Sequence, residues 1–240
     1  MSKVIFSGLE SSGKSLKLAM VASDILHRNA KWKEKTGITR PIASNLEFSK
    51  LFQKEAELMQ IPIIIWRNLT ELVELQNADV FIDEVGNYFD ARLWADLPLD
   101  VRMWLSQGAK SGIEIYGSAQ DFAQVDKSFR RLCNELYEIT KVIGSPRPSA
   151  TKPPVKKIWG VCMMRGLDPR AYNEDKKKFS SSFELPHFFF IQKVYCDMFD
   201  TTQKIKRSSP MPYRHEERFC ELDDCPMHGK KSGRAKLIHV

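Results

Sequence analysis

The chain of 240 residues lacks any apolar run approaching the roughly 20 residues that cross a bilayer; its longest apolar stretches are Ile61 to Trp66 and Phe188 to Ile191. A membrane span is therefore not expected. The first residues lack the uninterrupted apolar core of a secretion signal, because Lys3, Glu10, Lys14 and Lys17 fall among them. Cysteine is scarce and odd in number, five in all, which argues against a disulfide framework and for a reducing compartment. The expected location is a cytoplasm. Cys133, Cys162 and Cys196 lie in apolar or mixed surroundings and read as packing thiols. No internal repeat is present. Residues 1–145 have no charge surplus, with 18 Lys+Arg against 19 Asp+Glu, whereas residues 146–240 carry 19 against 11, so the net charge of +7 is placed entirely in the second part.

What is present begins at Gly8. Gly8-Leu9-Glu10-Ser11-Ser12-Gly13-Lys14-Ser15 fits G-x-x-x-x-G-K-[ST], a phosphate-binding loop. Val4-Ile5-Phe6 before it reads as a short buried strand, and Leu16 to Ala30 after it as a helix. Gly8 and Gly13 let the backbone turn closely, so that its N–H groups and the helix N-terminus all point at negative charge. Lys14 then reaches the β- and γ-phosphates, and the Ser15 hydroxyl is a ligand for Mg²⁺, an ion that takes few ligands from protein.

Strand-like and helix-like segments alternate over residues 1–145, the signature of an α/β fold with a mainly parallel sheet. The expected strands are Thr39 to Ser44, Ile61 to Trp66, Asp79 to Ile82, Gly112 to Gly117 and Ile139 to Ile143. The expected helices are Leu51 to Leu58, Leu69 to Leu75, Leu99 to Ala109 and Lys127 to Leu136, with Lys31 to Lys35 as a basic linker. Gly144 to Pro154 holds four prolines and marks a break. Beyond it, Lys156 to Met164 and Phe188 to Tyr195 read as strands. The expected organisation is a core at 1–145, a small β-rich extension at 146–206 and a basic tail at 207–240.

Val80-Phe81-Ile82-Asp83-Glu84 is an apolar strand running into two carboxylates. Downstream of a phosphate loop, Asp83 is placed to hold the Mg²⁺. Glu84, expected on the opposite side of the pleat, is placed to polarise an attacking water, which points to hydrolysis. Gln120 ends the strand Ile113 to Gly117 with its Ser118-Ala119 continuation. If that strand neighbours Asp83, its amide orients the water.

These segments resemble zonular occludens toxin-like proteins of the FtsK/HerA ATPases, which include viral genome-packaging and phage-assembly motors. The likeness is carried by Gly8 to Ser15, Asn45, Val80 to Glu84, Trp104-Leu105, Ser118-Ala119-Gln120 and Asp126 to Arg131, with a weaker echo over Phe188 to Lys204. It implies a P-loop fold of RecA/FtsK-HerA type, ATP and Mg²⁺ as cofactors, loop contacts extending from Gly8 through Leu16, a homo-oligomeric ring, and an arginine reaching a neighbour's site. Arg92, Arg102, Arg130 and Arg131 are candidates, with Arg131 and Arg130 favoured. Many such phage proteins carry a transmembrane helix after the ATPase. Its expected absence favours a motor that loads DNA into a capsid, in the host cytoplasm or with the virion, contacting capsid or assembly proteins. The alternatives are a phage morphogenesis factor that binds ATP to assemble with partners, and a small-molecule kinase.

Two features lie outside this pattern. Lys156-Lys157, Lys176 to Lys178, Lys204 to Arg207 and Lys230-Lys231 suit a phosphate backbone, making DNA an expected partner, although a solvated basic surface has the same composition. His215, Cys220, Cys225 and His228 offer two imidazoles and two thiols for tetrahedral Zn²⁺, at spacings unlike a standard finger; a reduced polar tail is the alternative.

Overall fold

The computed structural model of the protein describes residues 2–92, 97–108, 110–144, 159–173, 178–179, 185–196, Met198, and the paired segments 224–225 and 229–230. β1 (Lys3–Ser7) is buried along its whole length. The helix α1 (Lys14–Thr36) buries Leu18, Ala19, Ala22, Ile25, Leu26 and Asn29 at three- and four-residue steps, one stripe of a 3.6-residue helix. It continues past Ala30 to Thr36, absorbing the expected linker. Lysine is a good helix former, Lys33 and Lys35 complement the negative helix end, and left-handed Gly37 (φ 72°) closes it by donating to the Lys33 carbonyl.

β2 (Ile42–Ser44), α2 (Lys50–Leu58), β3 (Ile63–Ile65), β4 (Asp79–Ile82), α3 (Leu99–Gln107), β5 (Glu114–Ala119), α4 (Lys127–Leu132) and β6 (Glu135–Gly144) follow. Leu69–Leu72 is a single 3₁₀ turn in place of the helix expected to Leu75, its start fixed by reciprocal Asn68 and Glu71 capping bonds. Six strands pair in parallel in the order β6-β1-β5-β4-β2-β3. β6 is ten residues long because it pairs antiparallel with β7 (Gly160–Leu167) from Leu136 to Gly144, well past the four residues that pair with β1, and β10 (His187–Phe190) pairs antiparallel beyond β7. These two strands of the region 146–206 thus extend the main sheet to eight strands. β8 (Tyr172–Asn173) and β9 (Lys178–Phe179) form a separate hairpin between them. Where an extended chain to Tyr195 was expected, the strand stops at Phe190 and a helical turn, α5 (Lys193–Cys196), follows. Residues 1–206 form one compact unit. Residues 207–240 form another, in which β11 (Asp224–Cys225) pairs antiparallel with β12 (Gly229–Lys230).

Alternation along the strands sets the two faces of the sheet. Val4, Phe6, Phe81 and Tyr116 join the cluster built on α1, while Ile5, Val80, Ile82 and Ile115 are just as buried outside that cluster. Near-continuous apolar strands covered on both faces are what a parallel sheet requires.

One buried charge sits at the start of β4. The Asp79 carboxylate, with no solvent exposure, accepts hydrogen bonds from Arg28 at 3.0 Å, Asn29 at 2.8 Å and Arg40 at 2.7 and 3.0 Å. Arg40 also donates to the carbonyls of Ala78 and Gly112, stitching β4 to the chain entering β5. Glu114 shares Arg28 at 3.2 Å and accepts the Tyr116 hydroxyl at 2.7 Å.

Candidate nucleotide-binding site

The chain leaves β1 in a tight loop whose shape is fixed from two sides. Gly8 (φ 150°) donates its N–H to the Ala119 carbonyl at 3.2 Å, joining the loop to the end of β5, and a Cβ there would collide with the Ile139 carbonyl of β6. Gly13 (φ 105°) rests on the antiparallel edge: a Cβ would lie 2.9 Å from Cys162 Sγ and 3.8 Å from Phe189. Lys14 is 6% exposed, and its ammonium arches back over the loop to the carbonyls of Gly8 at 2.7 Å and Leu9 at 3.0 Å. The first turn of α1 contains no acidic residue, so its N-terminal dipole is left for an anion. Gly13→Ala is expected to combine strained backbone with the Cys162 contact and to weaken ATP affinity about tenfold or more, roughly 1.4 kcal/mol upward. Calorimetric titration with MgATP measures it, and unchanged affinity would show that the loop tolerates a side chain.

β4 stops at Ile82, one residue before the acidic pair. Asp83 sits where β4 would have continued beside β2, because Asn45 takes the place of the missing strand backbone. Its Oδ1 accepts from the Asp83 N–H at 2.8 Å, and its Nδ2 donates to the Asp83 carbonyl at 2.9 Å. The chain then turns at Glu84 into the left-handed region, φ 55° and ψ 64°. Glu84 therefore does not follow the pleat as expected: a left-handed residue breaks the two-residue alternation. Gln120, just past the end of the adjacent strand β5, donates to Glu84 Oε1 at 3.3 Å. Ser118, two residues earlier, donates to Asp83 Oδ1 at 2.6 Å and accepts from the Glu84 N–H at 3.0 Å.

Burial pushes the Asp83 carboxyl above the usual carboxylate range, against hydrogen bonds from Ser118 and Ser15 and the charge of Lys14. Glu84 is raised too, first by burial and then by the charge of Asp83, with Lys14 and Gln120 pulling the other way. The Ser15 hydroxyl and the Asp83 carboxylate meet as two hard oxygen donors beside the loop, a set that suits Mg²⁺. The loop, the acidic pair and Gln120 thus converge from β1, β4 and β5.

Residues 4–152 match the family model described as "Zonular occludens toxin (Zot)". The chain belongs to the zonular occludens toxin family. The Zot N-terminal domain from Neisseria meningitidis has the same fold, with a TM-score of 0.51 at 19% identity over 83% of this chain and 98% of that one. Looser likenesses are the genome packaging NTPase B204 of Sulfolobus turreted icosahedral virus 2 in complex with AMP and the flagellar accessory protein FlaH of Methanocaldococcus jannaschii. B204 has a TM-score of 0.43 at 12% identity, over 57% of this chain and 74% of that one. FlaH has a TM-score of 0.39 at 12% identity, over 69% and 76%. No curated protein sequence matches the chain.

In this Zot-family chain the candidate arginines occupy different settings. Arg130 of α4 lies over the ring of Tyr172 at 4.8 Å and that of Phe122 at 5.9 Å, engaged within its own chain. Arg131, next to it, is exposed. Arg92 is exposed and pairs with Asp90 at 2.8 Å, and Arg102 is half-buried on α3. None of the four makes a hydrogen bond to Lys14, Asp83, Glu84 or Gln120 among the described contacts. His215, Cys220 and His228 lie outside the described residues, and Cys225 is described only as backbone of β11. The side chains of the basic clusters at 156–157, 176–178, 204–207 and 230–231 also lie outside them. Among the described residues no helix is long and apolar enough to cross a membrane.

Sequence reasoning missed Ser118, Cys162 and Phe189 and gave Asn45 no role. A polar residue just past the second strand was the only signal for Asn45. For the others, strand order had to be known first.

Proposed function

We propose that this Zot-family chain is an ATP-hydrolysing motor that translocates DNA during virus assembly, acting as a viral genome-packaging ATPase in a homo-oligomeric ring. The observation that carries the reading is the Gln120–Glu84 contact at 3.3 Å beside a complete phosphate loop. A carboxylate and an amide in contact there support their assignment as the pair that orients an attacking water. Mg²⁺ held by Ser15 and Asp83 would neutralise charge on the β- and γ-phosphates. Lys14 binds those phosphates, Glu84 takes the water's proton, and Gln120 fixes the direction of Glu84. Exposed Arg131 is the favoured candidate to reach a neighbouring subunit. DNA contacts are assigned to the basic residues 146–240, and capsid or assembly proteins are the further partners, in the host cytoplasm or with the virion. A morphogenesis factor that only binds ATP has no use for a base at Glu84, which favours turnover.

The test is the ATPase rate with and without single- and double-stranded DNA at several salt concentrations. Stimulation that fades as salt rises is expected, because backbone contacts release counterions. Light scattering with ATP should give the mass of a ring. Undiminished hydrolysis in Lys14→Ala would refute the site, and DNA-insensitive turnover would refute the motor.

A further inference from the structure

Ser118 is fully buried at the end of β5, and its single hydroxyl serves both acidic residues at once. Its proton goes to Asp83 Oδ1 at 2.6 Å, while its oxygen accepts the Glu84 N–H at 3.0 Å. Asn45 pins the Asp83 backbone through its N–H and carbonyl, so Asp83 cannot rotate away from the sheet without breaking two bonds. Glu84 has a side chain and a φ of 55°, a conformation that persists where the surroundings impose it. The bond from its N–H to Ser118 holds it there, together with the Asn87 N–H on the Glu84 carbonyl at 2.8 Å. Ser118 lies in β5 and Gln120 one residue past its end: the first holds Glu84 by its backbone, the second by its carboxylate.

We propose that Ser118 is a positioning residue for hydrolysis, coupling the orientation of the Asp83 carboxylate to the left-handed turn that presents Glu84 to Gln120. The inference rests on the ATPase reading above. It assigns Ser118 a task distinct from nucleotide binding, since its two bonds go to the acidic pair and none goes to the loop. When the Asp83 carboxylate changes its partner or direction, Ser118 transmits the change to the Glu84 amide and hence to the placement of the base.

Ser118→Ala removes the bridge with the loss of one oxygen. The expected result is a fall in kcat of about 10²-fold, within the range for misplacing a general base. Affinity for a fluorescent ATP analogue, measured in EDTA, should change less than about threefold, since EDTA removes the divalent ion and leaves only loop contacts. In a Glu84→Gln background the same substitution should cost almost nothing further, because it acts through Glu84. Ser118→Cys, similar in size but a weaker donor, should fall between serine and alanine, and decides the matter if Ser118→Ala does not fold. Unchanged kcat in a wild type that turns over would overturn this inference alone. Matched losses of kcat and EDTA affinity would overturn it in favour of a general structural role. A wild type with no turnover would overturn both this inference and the reading beneath it.

Discussion

Glu84→Gln is expected to bind MgATP with near-wild-type affinity and to lose about 10²–10⁴-fold in kcat, the range attributable to a general base. The amide keeps the size of the carboxylate and a contact to Gln120, but cannot accept the water's proton. Lys14→Ala should differ in kind. Its ammonium is the cation of the loop, held at 2.7 and 3.0 Å by the carbonyls of Gly8 and Leu9, so its loss should remove binding along with turnover. Binding by fluorescent nucleotide and phosphate release, measured on both variants, separates the roles. A Glu84→Gln enzyme that turns over at the wild-type rate would remove Glu84 from the chemistry.

Asp79→Ala should be the most destabilising single change in the sheet, costing about 3–5 kcal/mol, as expected when one partner of a buried ion pair is removed. That is a large part of the ~5–15 kcal/mol by which domains are stable. Asp79 has no exposure and Arg40 has 17%, so the guanidinium would be left largely desolvated, with two carbonyls and Glu114 at 3.9 Å as its remaining partners. Asp79→Asn keeps the shape and should cost less. Urea denaturation followed by circular dichroism measures both, and a loss below about 1 kcal/mol would place the cluster with ordinary surface pairs. The same cluster predicts acid sensitivity. Burial alone would raise Glu114, but the Tyr116 hydroxyl and the Arg28 and Arg40 charges win and hold it below the usual carboxylate range. A depressed folded-state pKa contributes stability above the unfolded value near ~4.3, which is lost as pH falls through the folded one. Acid unfolding should therefore set in below about pH 4 and shift in Glu114→Gln.

The parts of this site that the sequence made legible are local ones. A loop of eight residues between a strand and a helix carries its own spacing, and Asp83 was visible because an apolar run stops there. Glu84 was located but wrongly oriented, since a left-handed residue leaves no periodic trace and the partner of its N–H, Ser118, lies 34 positions away. Asn45 reaches Asp83 across 38 positions for the same reason. The extent of α1 was hidden by its lysines, which read equally as a solvated linker. β7 and β10 looked like a small appendage because nothing in a strand's own sequence states which neighbour it pairs with. Only the pairing of Leu136 through Gly144 with β7 makes them part of the sheet that carries the phosphate loop.

Gly13 resting on Cys162 and Phe189 has a consequence for the order of synthesis. The phosphate loop leaves the ribosome about 150–175 residues before its backing, Cys162 and Phe189. At ~5–20 residues per second the loop waits roughly 8–35 s for the residues against which it takes shape. β1 waits likewise, since its partners begin at Glu114 and Glu135. A nascent or truncated chain ending before β7 would hold every residue of the motif and still lack the surface that shapes it. The eight-residue motif is thus not by itself the folded loop: the shape of the loop depends on strands far along the chain.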